Sequence, residues 1–372
     1  MREKSHLKPI VISAFFAFTA LSAVASKVFG ITYKAIDLTP TGFSNSVAPG
    51  ISGNQQVGYG KGSATGNNDH ALLWSGSAAS YIDLNPGGFT RSAAHGTTGA
   101  QQAGEGSGPA TSGQTHALLW NGRADNYGDL NPSGFIGTTA RGISGNQQVG
   151  YGRTSDAGRF HALLWSGTAA SCVDLNPSGF IECEAYGTNG TQQVGRGENS
   201  ATGGRDHALL WNGSAASYID LNPSGFIDSI AIGISGTQQV GYGYKFPEDK
   251  FHALLWSGTA ASCVDLTPSG FNESTAYGTN GTQQVGWGRT PATGYNTHAL
   301  LWNGSANNYI DLHQFLPSGF RTSDAFAIDI YGNIVGRAFS NNAHAILWQP
   351  VPEPATILLL GLGAVMLRRK RS

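Results

Sequence analysis

Apolar residues in this chain come in short clusters rather than along extended faces. The stretch HALLW at 70–74 is typical, with one polar residue, four apolar ones and then a Ser-Gly turn signal. YIDL at 81–84 mixes apolar and polar positions, and no repeated segment keeps a 3.6-residue apolar period without an interrupting glycine. Short apolar runs bounded by Gly, Asn, Pro and Ser predict β-strands and nearly exclude helices.

The clusters recur. H-A-x-L-W begins at His70, His116, His161, His207, His252, His298 and His344, every 45 or 46 residues. A D-L doublet begins at Asp37, Asp83, Asp129, Asp174, Asp220, Asp265 and Asp311. Q-Q-V-G or a variant begins at Gln55, Gln101, Gln147, Gln192, Gln238, Gln283 and Asn333. One unit therefore reads as an Ala/Gly-rich strand carrying A-x-G, the Q-x-V-G strand, a variable loop, HALLW, and a DL strand leading through NPSGF to the next unit. Four strands in about 45 residues is the blade period of a β-propeller.

The ends of the repeat choose between a ring and an open stack. The repeat region opens on a DL strand, Tyr33–Leu38, with no HALLW before it, and closes on His344–Trp348 with no DL strand after it. Pairing the two completes the last blade and removes the exposed edges that an open solenoid must cap. The expected fold is all-β, a closed seven-bladed propeller of four-stranded blades over residues 31–348, its last blade completed by the N-terminal strand. An open solenoid is the alternative.

Both termini differ from this region. Arg2, Lys4 and Lys8 precede an apolar run ending in Ala23-Val24-Ala25, as in a secretory signal peptide spanning 1–25; an uncleaved anchor is the alternative. At the other end an apolar run, 355–367, precedes Arg368, Arg369, Lys370 and Arg371. As a helix it reaches about 20 Å, short of the ~30 Å hydrocarbon core, so it reads as a short, transient inner-membrane segment. Its basic end stays on the cytoplasmic side. VPEP, an apolar stretch and RRKR in this order, over 351–372, resemble the PEP-CTERM sorting signal of Gram-negative bacteria. That resemblance assigns Pro352, Glu353, Pro354, Arg368, Arg369 and Arg371 to sorting. It implies processing by an exosortase and delivery to the cell envelope or extracellular matrix.

Without these ends the charge changes sign of emphasis. The chain holds 22 basic and 23 acidic residues; removing 1–25 and 349–372 leaves 15 and 21, a net of −6. That argues against a nucleic-acid partner, whose binders concentrate positive charge. The 53 glycines fit many tight turns.

The repeat resembles the HAF-repeat family of extracellular, WD-like propeller proteins through its His-Ala strand, D-L strand, A-x-G strand and Q-x-V-G strand. The resemblance spans 33–348 and implies an exported propeller without a defined activity.

Recurrence also sorts the chemistry. Catalysis needs different groups converging on one centre, whereas the repeated His and Asp lie in separate units and read as hydrogen-bonding to backbone or to one another within each blade, with Trp packing between blades. No H-E-x-x-H, C-x-x-C or G-x-S-x-G is present, and no metal or cofactor is expected. Cys172 and Cys183 fall on strands too far apart to bond. Function is expected where the pattern breaks. The residue inside Q-x-V-G-x-G runs Tyr59, Glu105, Tyr151, Arg196, Tyr242, Trp287, Arg337, and of these Tyr59, Tyr151, Arg196, Tyr242 and Trp287 are candidate ligand contacts. The same positions also suit packing between blades. The loop before the fifth HALLW adds Lys245, Phe246 and Lys250. The expectation is a non-enzymatic scaffold binding extracellular polysaccharide or a surface protein. An enzyme acting on polysaccharide is the alternative, with His95 and Arg141 at the A-x-G position as its hints.

The sorting signal has a direct consequence: the mature protein recovered from the cell surface lacks Arg368–Arg371. Intact-mass analysis that finds these residues retained refutes the sorting reading.

Overall fold

The computed structural model describes residues 32–155 and 158–351. They form seven four-stranded antiparallel sheets, arranged as a propeller. Blade 1 shows the plan: strands Phe43–Ser52, Gln55–Gly62, His70–Trp74 and Ile82–Asp83, paired in chain order from the axis outwards. Blades 2 to 6 repeat it over 91–129, 135–174, 180–220, 228–265 and 273–311. In blade 7, strands Thr322–Ile328, Ile334–Phe339 and Ala343–Val351 are completed on the outside by Thr32–Asp37. The ring is closed as the ends of the repeat predict. Among the described residues no helix is long and apolar enough to cross a membrane. The signal peptide at 1–25, the apolar segment 355–367 and the sorting residues from Pro352 onward lie outside the described residues.

The core sits between blades. The tryptophan ending each third strand is fully buried. Trp120, with Leu118 and Phe89, packs on Val57, Ala71, Leu73 and Leu84 of blade 1, and Trp348 closes the corresponding cluster against Val285, Ala299, Leu301 and Leu312 of blade 6. Truncating such a residue costs about 3–5 kcal/mol, so each interface holds a large apolar anchor.

A polar relay accompanies each anchor. His70 Nδ1 meets Asp83 Oδ2 at 2.7 Å, tying the third strand to an outer strand of only two residues. Asp83 Oδ1 accepts from the Asn85 amide at 2.8 Å, Asn85 Oδ1 accepts from Ser92 of blade 2 at 2.7 Å, and Ser92 Oγ accepts from the Ala71 amide at 3.0 Å. The His–Asp contact recurs in all seven blades at 2.6–2.8 Å. The seventh closes the ring: His344 contacts Asp37 at 2.8 Å, and Ser46 links Thr39 at 2.8 Å to the Ala345 amide at 2.9 Å.

Blade 4 breaks the relay. Its hydroxyl position is taken by Cys183, and the Asn176 side-chain oxygen that would receive the hydroxyl is buried without a partner. Cys172 stands beside the outer strand of blade 3, Cys183 lies in the inner strand of blade 4, and all three cysteines are free thiols. Burial pushes the Cys172 and Cys263 thiols up to about 12, with Asp174 and Asp265 adding to it, so neither is reactive at neutral pH.

Cys183→Ser therefore restores a donor to Asn176 and an acceptor to Ala162, and stabilises the fold by about 1 kcal/mol. Denaturant unfolding of the variant measures it; an unchanged or lower midpoint contradicts the relay.

Candidate functional site

Each inner strand carries a β-bulge at the middle letter of A-x-G. A bulge leaves one residue out of the ladder and re-aims its side chain. The seven bulge positions, Pro49, His95, Arg141, Tyr186, Ile232, Tyr277 and Phe326, come from different blades and line one central channel of about 380 Å3. The bulge also brings a carbonyl of the inner strand against the second strand. A Cβ on Gly150 would lie 1.8 Å from the Thr139 carbonyl oxygen, which is why the second strand reads V-G.

Ten residues after the bulge, or eleven in blade 7, comes the variable residue of the Q-x-V-G-x-G strand, and several of these side chains meet the bulge residue of their own blade. Arg141 donates to the Tyr151 hydroxyl at 3.0 Å, Arg196 to the Tyr186 hydroxyl at 3.2 Å, and Trp287 to the Tyr277 hydroxyl at 3.1 Å. Arg196 also pairs with Glu184 and Asp206, and Arg337 pairs with Asp324 at 2.8 Å while lying over Phe326. These cations are neutralised within the protein.

Blades 2 and 3 are different. His95, Glu105 and Arg141 gather where three cavities meet. Arg141 lines the channel and two pockets of about 270 and 360 Å3; His95 joins the channel to the first, and Glu105 joins the two pockets. The Glu105 carboxylate accepts from the Thr139 hydroxyl at 2.6 Å, but His95 Nε2 stands 3.9 Å away, beyond hydrogen-bonding range. Among the described residues, His95 Nε2 and Arg141 Nε are buried without a partner.

Their electrostatics follow from this crowding. Burial pushes the His95 imidazole below its ordinary value; Glu105 opposes the shift and Arg141 adds to it. The ring is thus neutral at pH 7. Burial would raise the Glu105 carboxyl, but His95, the Thr139 hydroxyl and Arg141 together hold it down at about 2. A neutral imidazole and an ionised carboxylate share one cavity with a guanidinium, a set able to donate to, accept from and orient a polar ligand.

Of the residues singled out in the sequence, Tyr59 lines the 270 Å3 pocket, its ring edge-on to His95 at 6.5 Å, and Tyr151 lines the 360 Å3 pocket. Tyr242 lines a separate cavity between blades 4 and 5. Arg196 and Trp287 are engaged in the internal contacts above. Lys245 ends the second strand of blade 5 and Lys250 begins the third, each next to a residue that lines this last cavity, Tyr244 and Phe251; Lys245 pairs with Glu248 at 3.0 Å, and Phe246 is exposed in the turn between them. Glu105 and Thr139 were not among the candidates; the signal for Glu105 is its being the one acid in a series otherwise aromatic or basic.

Residues 350–371 match the PEP-CTERM protein-sorting motif. That motif implies exosortase processing, export and surface sorting. No curated protein matches the chain. Solved structures share the fold at low identity. An oligogalacturonate lyase from Vibrio parahaemolyticus is 8% identical with a TM-score of 0.56, over 87% of this chain and 97% of that one. A puromycin hydrolase is 12% identical with a TM-score of 0.52, over 83% of this chain and 52% of that one. A puromycin-hydrolyzing peptidase from Mycobacterium tuberculosis is 11% identical with a TM-score of 0.51, over 81% and 51%. The chain thus spans about half the length of the two puromycin-hydrolysing proteins. These matches correct the expectation of a non-enzymatic chain. It rested on the lack of a linear catalytic motif, yet chains of this fold include enzymes. A propeller gathers side chains from separate blades, as it gathers His95, Glu105 and Arg141 here, and no linear motif records that.

Both shifted groups weaken the fold in acid, because each folded value lies below the unfolded one. The His95 contribution is complete above about 6.5 and is lost as pH falls towards its folded value; the Glu105 contribution is complete above about 4.5 and is lost towards pH 2. In urea unfolding, His95→Gln flattens the decline between pH 7 and 5, whereas Glu105→Gln acts below pH 4.5. Parallel pH profiles for wild type and both variants contradict this assignment.

Proposed function

We propose that the protein is an exported, exosortase-processed propeller of the bacterial envelope or biofilm matrix that binds a glycan at the cavities around His95, Glu105 and Arg141. Residues 1–25 serve as its cleaved leader, and its repeat sides with the extracellular HAF-repeat proteins. The observation that carries the binding reading is the convergence of His95, Glu105 and Arg141 on adjoining cavities walled by Tyr59 and Tyr151. A sugar ring offers what such a cavity takes: an apolar face for an aromatic side chain and a rim of hydroxyls for planar polar groups. The net −6 of the body leaves Arg141 as a local cation rather than part of a basic field.

A second reading, action on an extracellular polysaccharide, is favoured by one specific observation. The neutral His95 and the ionised Glu105 stand in one cavity, two titratable groups whose environments have moved them apart in role.

A glycan array, followed by size analysis of any polysaccharide that binds, tests both. Arg141→Ala is expected to weaken binding at least tenfold, while Lys34→Ala on the exposed outer strand of blade 7 leaves it unchanged. Chain shortening that His95→Ala abolishes supports the second reading. Binding that survives Arg141→Ala and Glu105→Gln undiminished sinks the assignment of the site.

A further inference from the structure

We propose that the cavities built on blades 3 and 5 are equivalent sugar subsites, so that the propeller grips one polymer at two places on the same face; this rests on the glycan reading above. Blades 3 and 5 alone carry phenylalanine immediately before the repeated histidine, Phe160 and Phe251, where the other blades have Asp69, Thr115, Asp206, Thr297 and Ala343. Each phenylalanine meets the tyrosine of its own second strand in the same geometry: Tyr151–Phe160 at 5.4 Å and 84°, Tyr242–Phe251 at 5.5 Å and 88°.

Each pair walls a cavity against the preceding blade. The one on blade 3 is about 360 Å3 and the one on blade 5 about 490 Å3. Both take the same structural positions, the residues just before the histidine of the earlier blade and the start of the inner strand of the later one. Both combine the aromatic wall with planar polar groups, Glu105 and Arg141 in the first and, in the second, Arg205 and Asp228 paired with each other at 3.3 Å beside Asp206, which pairs with Arg196. In the second, Tyr244 joins the wall at 5.4 Å from Phe251. Phe251 is 38% exposed and Phe160 half-buried, so both rings reach the surface. The loops over these cavities lie with the blade crossovers, as the hydrogen bond from the Ser155 amide to the Gly134 carbonyl at 3.0 Å places them.

The blade 3 cavity adjoins the His95 pocket, Glu105, Thr115 and Arg141 lining both, so the two stand side by side. The blade 5 cavity shares no residue with them. A single polymer bridging both sites binds more tightly than a short oligomer occupying either, because the second contact is intramolecular.

Isothermal titration with hexasaccharides of β-1,4-glucan, alginate and polygalacturonate, and with the matching polymers, tests the pairing on the full chain. One of the hexasaccharides is expected to fill two sites per chain, and its polymer to bind about a hundredfold more tightly. Phe251→Ala and Tyr244→Ala each remove one site and the polymer advantage, while Arg141→Ala removes the other site; circular dichroism confirms that the variants fold. A single site lost in Arg141→Ala but untouched by Phe251→Ala overturns the pairing and leaves the glycan reading standing. Two sites that persist in Phe251→Ala overturn it too. If none of the three hexasaccharides binds the wild type, both proposals fall.

Discussion

The histidine–aspartate contact organises this molecule. An outer strand of two residues has too few ladder bonds to hold its place, and the carboxylate supplies what is missing. One oxygen takes the imidazole of the third strand, and the other caps the backbone as the chain leaves for the next blade. The crossover it fixes then presents an Asn, Thr or His side chain to a hydroxyl of the neighbouring blade, which in turn receives an amide from the blade of origin. The pairs are partly exposed, so each is worth little alone. Their effect is geometric: they set the distance at which the tryptophan anchor of one blade enters the apolar face of the next.

With the frame held from outside, the inner strands are released from holding it. Each spends a residue on a bulge, and the seven bulges build a ring in which no side chain needs to match its neighbours. Six of seven interfaces keep a hydroxyl in the relay, but the ring mixes proline, histidine, arginine, isoleucine and aromatics. The fold tolerates this variety because these side chains face a channel rather than a packed interface. Glycine carries the steric cost, at the V-G position where the displaced carbonyl leaves no room for a Cβ. Stability and function are thereby separated: repeated residues hold the blades, and unrepeated residues at equivalent positions form the cavities.

The separation explains what could be read in advance. The period, the strand count and the ring closure were legible because each rests on repetition, and because the two ends of the repeat are complementary. That His and Asp bond within their own blade followed from their recurrence; that they bond to each other was decided by the structure. The site was legible only in part. His95 and Arg141 stood out at A-x-G, and Tyr59 and Tyr151 inside Q-x-V-G-x-G, while the hairpin of Lys245, Phe246 and Lys250 drew attention by its composition and borders the cavity of Tyr244 and Phe251. Glu105 gains its meaning only beside Thr139 of the next blade, 34 residues on, a contact that no local pattern announces.

Sequence alone determined the number of blades, the closure of the ring and the sorting address, since all three are written as repeats or ordered motifs along the chain. Tertiary structure decided which of the irregular residues meet. Arg196 and Arg337 are consumed by Glu184, Asp206 and Asp324, whereas His95 and Arg141 line cavities and keep buried nitrogens without a partner among the described residues. The reason is that a bulge aims its residue at the axis, and across the axis and between blades the neighbours are set by rotation about the ring, not by distance in sequence.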